Sequence, residues 1–121
     1  MLPRVLVIED DGDLRRLLRR GLEEEGFEVV QASLGKDALA LAEQDPPDLL
    51  VVDIGLPDAT GHELMLRIKE LYPIKGIALS GFCMDDDIQL SRDAGFSEHL
   101  VKPVDLPQLA EAIRRVAALP G

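Results

Sequence analysis

Val5-Leu-Val-Ile-Glu-Asp-Asp11 is a run of four apolar residues, three of them β-branched, that stops on three consecutive acids. An unbroken apolar run of strand length, with no polar alternation, reads as a strand buried on both faces. Directly after it, Leu14, Leu17, Leu18 and Leu22 recur at helical spacing, with Arg15, Arg16, Arg19 and Arg20 on the other side and Gly26 closing the segment. A second strand-like run, residues 28–32, follows at once. Strand, acidic turn, amphipathic helix, glycine and strand make a βαβ unit, in which the helix supplies the crossover that parallel strands require.

The same alternation continues outward from that unit. Strand-like runs recur at residues 49–52, 76–79 and 99–101. Between them, Leu34, Ala38, Leu41 and Ala42 form a second helical stripe stopped by Pro46-Pro47, and Leu64, Met65, Ile68 and Tyr72 form a third stopped by Pro73. Thr60-Gly-His-Glu63 has capping-box spacing and is expected to start the third helix. The fourth pattern is the weakest, with Met84, Ile88 and Ser91 on one face and Asp85, Asp86 and Asp87 in the first turn, where the helix dipole favours anions. In the fifth, Leu106, Leu109, Ala110, Ile113, Val116 and Ala117 follow Asp105 as N-cap, with Pro107 in the first turn. The expected fold is α/β: a three-layer, doubly wound (βα)5 domain with a flavodoxin-like parallel five-stranded sheet in the order 2-1-3-4-5. In that order the ligand site lies beyond the carboxyl ends of the strands, between strands 1 and 3.

Composition sets the limits of function. With 121 residues, 46% of them hydrophobic and 30% charged, residues 1–121 read as a single domain with one core and one principal site. Thirteen Lys+Arg against 23 Asp+Glu give a net charge of −10, which works against nucleic-acid binding by this segment. The lone Cys83 has no partner for a disulfide or a zinc site, which fits a reducing cytoplasm. No apolar run approaches the roughly 18 residues of a membrane span, so no membrane contact by this domain is expected, although a parent protein could be anchored.

Chemistry collects at the carboxyl ends of the strands: Glu9, Asp10 and Asp11 after the first, Asp53 after the third, Ser80 after the fourth and Lys102 after the fifth. Converging carboxylates repel, so either their pKa values rise or a cation resolves the repulsion. Oxygen-only ligands of this kind suit Mg2+, which completes its shell with waters and phosphate oxygens. An aspartate can then act as nucleophile, a lysine can neutralise the transferring group and a hydroxyl can bond one of its oxygens, which together describe phosphoryl transfer. Each residue alone has an ordinary reading: Asp11 or Asp13 as the N-cap of the first helix, Asp53 as a loop acid, Lys102 and His99 as surface residues. The joint placement on one rim is what favours a site.

Through Val5-Leu-Val-Ile-Glu-Asp-Asp11, Asp53-Ile-Gly-Leu-Pro57 followed by Gly61, Ala78-Leu-Ser-Gly81 and Lys102-Pro103, the sequence resembles the receiver domains of response regulators over nearly its whole length. The resemblance implies a phosphoacceptor domain of two-component signalling that takes a phosphoryl group from the phosphohistidine of a histidine kinase or histidine phosphotransfer domain. It implies Asp53 as phosphoacceptor, Glu9, Asp10, Asp53 and the Gly55 backbone carbonyl as Mg2+ ligands, and Lys102 as the contact to the phosphoryl group. It further implies Ser80 as the switch hydroxyl and a cis peptide before Pro103. Gly55 and Phe82 fall beside the phosphosite, where the family tunes hydrolysis. At the switch aromatic, often Tyr or Phe, this chain has His99, smaller and of the one side-chain type able to change charge near neutral pH. Phosphorylation is expected to draw Ser80 inward, reorganise His99 and loop 80–87, and remodel the face made by the fourth helix, fifth strand and fifth helix. A phosphorylation-dependent dimer belongs to the same set of expectations. Residues 95–105 look most like receivers fused to sensor histidine kinases, with a stand-alone regulator as the alternative.

Other classes fit less well. A Mg2+-dependent phosphatase of the haloacid-dehalogenase kind would use an Asp-x-Asp pair, for which Asp11-Gly-Asp13 is the candidate, but Glu9 stands where the nucleophile belongs. A nucleotide or flavin module would need a glycine-rich loop where this chain presents acids. A degenerate receiver used only for protein interaction would not need the full set of acids, hydroxyl and lysine. Slow autodephosphorylation, with no conventional enzyme turnover and no organic cofactor, is therefore expected.

Overall fold

The structure, a computed structural model, describes residues 3–56, 60–81 and 85–119; the side chains of residues 85–87 are not described. Pro57, Phe82, Cys83 and Met84, to which the sequence assigned roles, lie outside the described residues.

The chain alternates strictly between strand and helix: β1 (Arg4–Ile8), α1 (Gly12–Glu24), β2 (Glu28–Ala32), α2 (Gly35–Gln44), β3 (Leu49–Asp53), α3 (Gly61–Leu71), β4 (Lys75–Ser80), α4 (Asp85–Ala94), β5 (Glu98–Val101) and α5 (Leu106–Ala118). The five strands form one sheet in the order β2-β1-β3-β4-β5, every pair parallel. The α/β, doubly wound class expected from the sequence is the one observed.

Side-chain alternation along the strands builds two cores. Val5, Val7, Leu49, Val51, Ile77 and Leu79 face the side covered by α1 and α5, where they meet Leu18, Leu22, Leu109, Ile113 and Val116. Leu6, Ile8, Leu50, Val52 and Ala78 face the other side and meet Ala38, Leu64, Met65 and Ile68 of α2 and α3. Because both faces of β1 and β3 are buried, their interiors are apolar and polar residues are confined to their first and last positions, Arg4 and Asp53, and to the residues beyond. That is why the acids gather at the strand ends.

Local signals set the boundaries. The Asp11 carboxylate accepts hydrogen bonds from the Asp13 and Leu14 amides and caps α1. Gly26, at φ 96°, ends that helix with its own N–H donating to Glu23 O and the Phe27 N–H donating to Leu22 O, the paired bonds of a Schellman motif. Thr60 caps α3 by accepting from the Glu63 amide, and Asp105 caps α5 by accepting from the Gln108 amide. Two details differ from the sequence reading. Asp53 and Ser80 are the last residues of β3 and β4 rather than the first residues beyond them, because the ladder continues through the Ile54 amide to Leu79 O and the Lys102 amide to Ser80 O. Leu34 is not part of the second helix; it is the N-cap, with extended backbone and no side-chain cap.

Gly61 opens α3 directly against the end of β3. A Cβ there would lie 2.8 Å from both the Asp53 carbonyl oxygen and the Ile54 Cα, backbone atoms that cannot rotate away. Gly61→Ala is therefore expected to destabilise the domain by about 1–3 kcal/mol, the usual cost of overpacking. Gly12→Ala, whose Cβ would approach the flexible ends of Arg16 at 3.5 Å and Arg15 at 3.7 Å, should leave the urea unfolding midpoint nearly unchanged. Equal midpoints for the two variants would show that α3 can shift away from β3 at no cost.

Candidate functional site

The strand ends bring the predicted residues together. Glu9 follows β1 and is fixed there by its amide, which donates to Ala32 O, and by its own carbonyl, which accepts from Arg15 Nη1. Asp53 ends β3 with its Oδ1 accepting from the Gly55 amide. Carboxylate oxygens of Glu9, Asp10 and Asp53 all lie within 4.8 Å of one another. Glu9 and Asp53 are buried, whereas Asp10 is exposed, so the cluster has two walls and an open side. Lys102, following β5 on a cis peptide to Pro103, reaches across with Nζ 2.9 Å from Glu9 Oε2 and 3.4 Å from Asp53 Oδ2.

Burial dominates the electrostatics. Removal of the Glu9 carboxyl from water pushes its pKa from 4.5 up to about 7, with the neighbouring Asp53 charge adding to the rise; the Lys102 ammonium and the Asp11 amide, which donates to Glu9 Oε1, oppose it. For Lys102, burial works against the ammonium, but Glu9 and Asp53 more than offset it, and its pKa rises. The acids thus favour the charged form of the Lys102 amine that stands against them.

The donor set fits a hard divalent cation. Among the described residues it is carboxylate only, and Glu9 Oε2 is enclosed, with the Lys102 ammonium at 2.9 Å but no aligned hydrogen bond. Asp11 and Asp13 are not part of it. The Asp11 carboxylate caps α1 and the exposed Asp13 pairs with Arg16, so neither acid of the Asp-x-Asp pair in the phosphatase reading joins the cluster.

Ser80 and His99 are joined, with Ser80 Oγ 2.9 Å from His99 Nε2. The contact continues past the residues that sequence reasoning assigned to the site. His99 Nδ1 lies 2.7 Å from Ser91 Oγ on α4, and Ser91 Oγ lies 3.1 Å from His62 Nε2 on α3. Ser91 was visible in the sequence only as a polar residue on the inner stripe of the fourth helix, and His62 only as a member of the capping segment.

A family model described as the response regulator receiver domain matches residues 5–114. The chain belongs to that receiver family. It is 40% identical to an uncharacterized 14.6 kDa protein of Leptolyngbya boryana over 114 residues, which cover 92% of this chain and 87% of that protein. It is also 33% identical over 117 residues to the polar-differentiation response regulator DivK of Brucella ovis, covering 94% of this chain and 95% of DivK. Among solved structures, the CheY-like receiver domain protein of Methanospirillum hungatei superposes with a TM-score of 0.91 at 32% identity, over 97% of this chain and 94% of that one. The receiver domain thus takes its place in two-component signalling, and nothing in the comparisons favours a haloacid-dehalogenase phosphatase. Among the described residues, no helix is long and apolar enough to cross a membrane.

The raised Glu9 pKa gives the receiver domain a pH signature. The unfolded chain ionises Glu9 near 4.5 while the folded chain keeps the proton up to about 7, so between those values the unfolded state binds fewer protons and stability falls as pH rises. In metal-free buffer, the stability of the wild type relative to Glu9→Gln should fall across that window and level off on either side. Urea titrations at a series of pH values measure it. A relative stability that climbs through the window would mean that the Lys102 pair outweighs the burial of Glu9.

Proposed function

We propose that Asp53 is the phosphoacceptor of this receiver domain, taking a phosphoryl group from the phosphohistidine of a histidine kinase or a histidine phosphotransfer domain in the cytoplasm. The observation that carries the proposal is the position of Asp53. Its carboxylate ends a buried central strand, shares a cluster with Glu9 and Asp10, and lies 3.4 Å from the Lys102 ammonium. An Asp53 carboxylate oxygen attacks the phosphorus, the P–O bond forms as the P–N bond to the donor imidazole breaks, and the leaving imidazole takes a proton from water. Lys102 neutralises charge on the transferred group, and Ser80 donates to one of its oxygens. Mg2+, held by Glu9, Asp10, Asp53 and the Gly55 carbonyl, would supply further neutralisation and orient the phosphoryl oxygens.

The Gly55 amide already donates to Asp53 Oδ1 at 3.1 Å, which orients the carboxylate before any partner arrives. The chemistry is the same whether the donor histidine lies on the same polypeptide, as in a hybrid sensor kinase, or on a separate one. The domain is a signalling acceptor rather than a turnover enzyme, and the phosphorylated form is lost by slow hydrolysis at its own site. The signal leaves through Ser80 and His99 toward the face built by α4, β5 and α5.

Incubation with acetyl phosphate and Mg2+, followed by intact mass measurement, tests the proposal. The wild type should gain one phosphoryl group; Asp53→Asn should gain none, and a chelator should suppress the gain in the wild type. Lys102→Ala should cut the extent of labelling at least tenfold, the scale of losing one charge that acts in the transition state. A folded wild type that gains nothing would leave an interaction module, and sustained release of phosphate from simple esters would restore the phosphatase reading.

A further inference from the structure

The bonds beyond His99 reach two elements that the acceptor chemistry does not use. Ser80 ends β4, His99 lies in β5, Ser91 in α4 and His62 in the first turn of α3, and three contacts of 2.9, 2.7 and 3.1 Å string them together. Ser91 is 1% exposed, so its hydroxyl is satisfied by its protein neighbours. His62 is half-buried and rests edge-on against Phe96, with ring centroids 6.2 Å apart, which steadies the ring.

Counting protons turns this string into a directional one. A serine hydroxyl has one proton to give and can accept at its lone pairs, while a neutral imidazole has one N–H and one bare nitrogen. Ser91 Oγ faces a ring nitrogen on each side, so its single proton can satisfy at most one of them and the other ring must donate to it. The same limit applies at Ser80. If its proton goes to a phosphoryl oxygen while the contact to His99 is kept, His99 Nε2 must be the donor in that contact. Neutral His99 then has a bare Nδ1 that takes the Ser91 proton, and Ser91 Oγ in turn accepts from His62 Nε2–H. With the Ser80 proton directed at His99 instead, every bond reverses: His99 donates from Nδ1, Ser91 donates to a bare His62 Nε2, and His62 carries its proton on Nδ1.

We infer that Ser91 and His62 are positioning residues for the phosphorylation switch, forming with Ser80 and His99 a hydrogen-bond relay whose direction reverses on phosphorylation and reports it at α3 as a change of His62 tautomer. The inference rests on the reading of Asp53 as acceptor. No net proton is gained or lost, since the ring protons exchange with water that reaches His62. Two helices on the same side of the sheet are thereby told the state of the site through polar bonds, in addition to any movement of the β5 face.

The test is a long-range 1H–15N correlation spectrum of histidine-labelled protein before and after treatment with acetyl phosphate and Mg2+, with intact mass read on the same samples. The wild type should gain a phosphoryl group, and its His62 Nε2 should move from the pyridine-like to the pyrrole-like nitrogen range. Ser91→Ala should gain the phosphoryl group while its His62 shows no change of tautomer between the two states. Ser91→Thr, which keeps the hydroxyl, should restore the response and serves as the probe if the alanine variant folds poorly. A mass gain in the wild type without a His62 tautomer change, or an equal change in Ser91→Ala, overturns the relay. Doubly protonated His99 in the phosphorylated form would overturn it as well, because Nδ1 would then donate to Ser91. No mass gain in any sample would instead sink the acceptor reading, and the relay with it.

Discussion

Three carboxylates with oxygens within 4.8 Å of one another, two of them buried, set the terms on which this domain folds. Two like charges about 4 Å apart repel by about 4 kcal/mol at an effective dielectric of about 20, a large share of the roughly 5–15 kcal/mol that holds a domain together. The cost is tolerable because a cation sits among them. Lys102 lies within 3.4 Å of both buried acids, and it arrives there from the end of β5, an edge strand of the sheet. The site and the closing edge of the sheet are thus mutually dependent. Among the described residues Lys102 is the cationic side chain paired with Glu9 and Asp53, and those two acids are its ion-pair partners.

That dependence explains why the fold was so readable. Strands buried on both faces cannot dilute their apolar runs, and the helices between them keep one apolar stripe each, so the alternation is written openly. The caps were equally plain, since Asp11, Thr60 and Asp105 do what short polar side chains before an apolar stripe do. Strand ends were less exact. Asp53 and Ser80 are polar, and sequence patterning places polar residues outside a strand. The backbone ladder runs on for one more residue because pairing depends on amides and carbonyls rather than on side chains. Leu34 shows the converse error: an apolar residue at helical spacing that ends the preceding extended segment instead.

Within the site, the acids, the hydroxyl and the lysine could be placed from the sequence because each follows one strand, and the parallel arrangement brings all strand ends to the same rim. Ser91 and His62 could not. They come from two helices, 29 residues apart in the chain, and no local spacing links a helix-start histidine to a serine in another helix. The only trace was a polar residue on the inner stripe of the fourth helix, where an apolar one would pack as well. A buried hydroxyl at such a position has to find a partner, and here it has two.

The identity of residue 99 matters for the same reason. An aromatic hydroxyl at that position would be anchored at one atom, whereas an imidazole has two nitrogens on different sides of the ring and can be held at both. His99 is held by Ser80 of β4 on one side and Ser91 of α4 on the other, so it cannot swing freely between inner and outer positions without breaking a bond at each end. Each such bond contributes about 0.5–1.5 kcal/mol net, and a group left unsatisfied in a buried place costs more. Reorienting protons along bonds that stay in place avoids that loss. A histidine here therefore favours a switch that changes the direction of its hydrogen bonds over one that moves its ring.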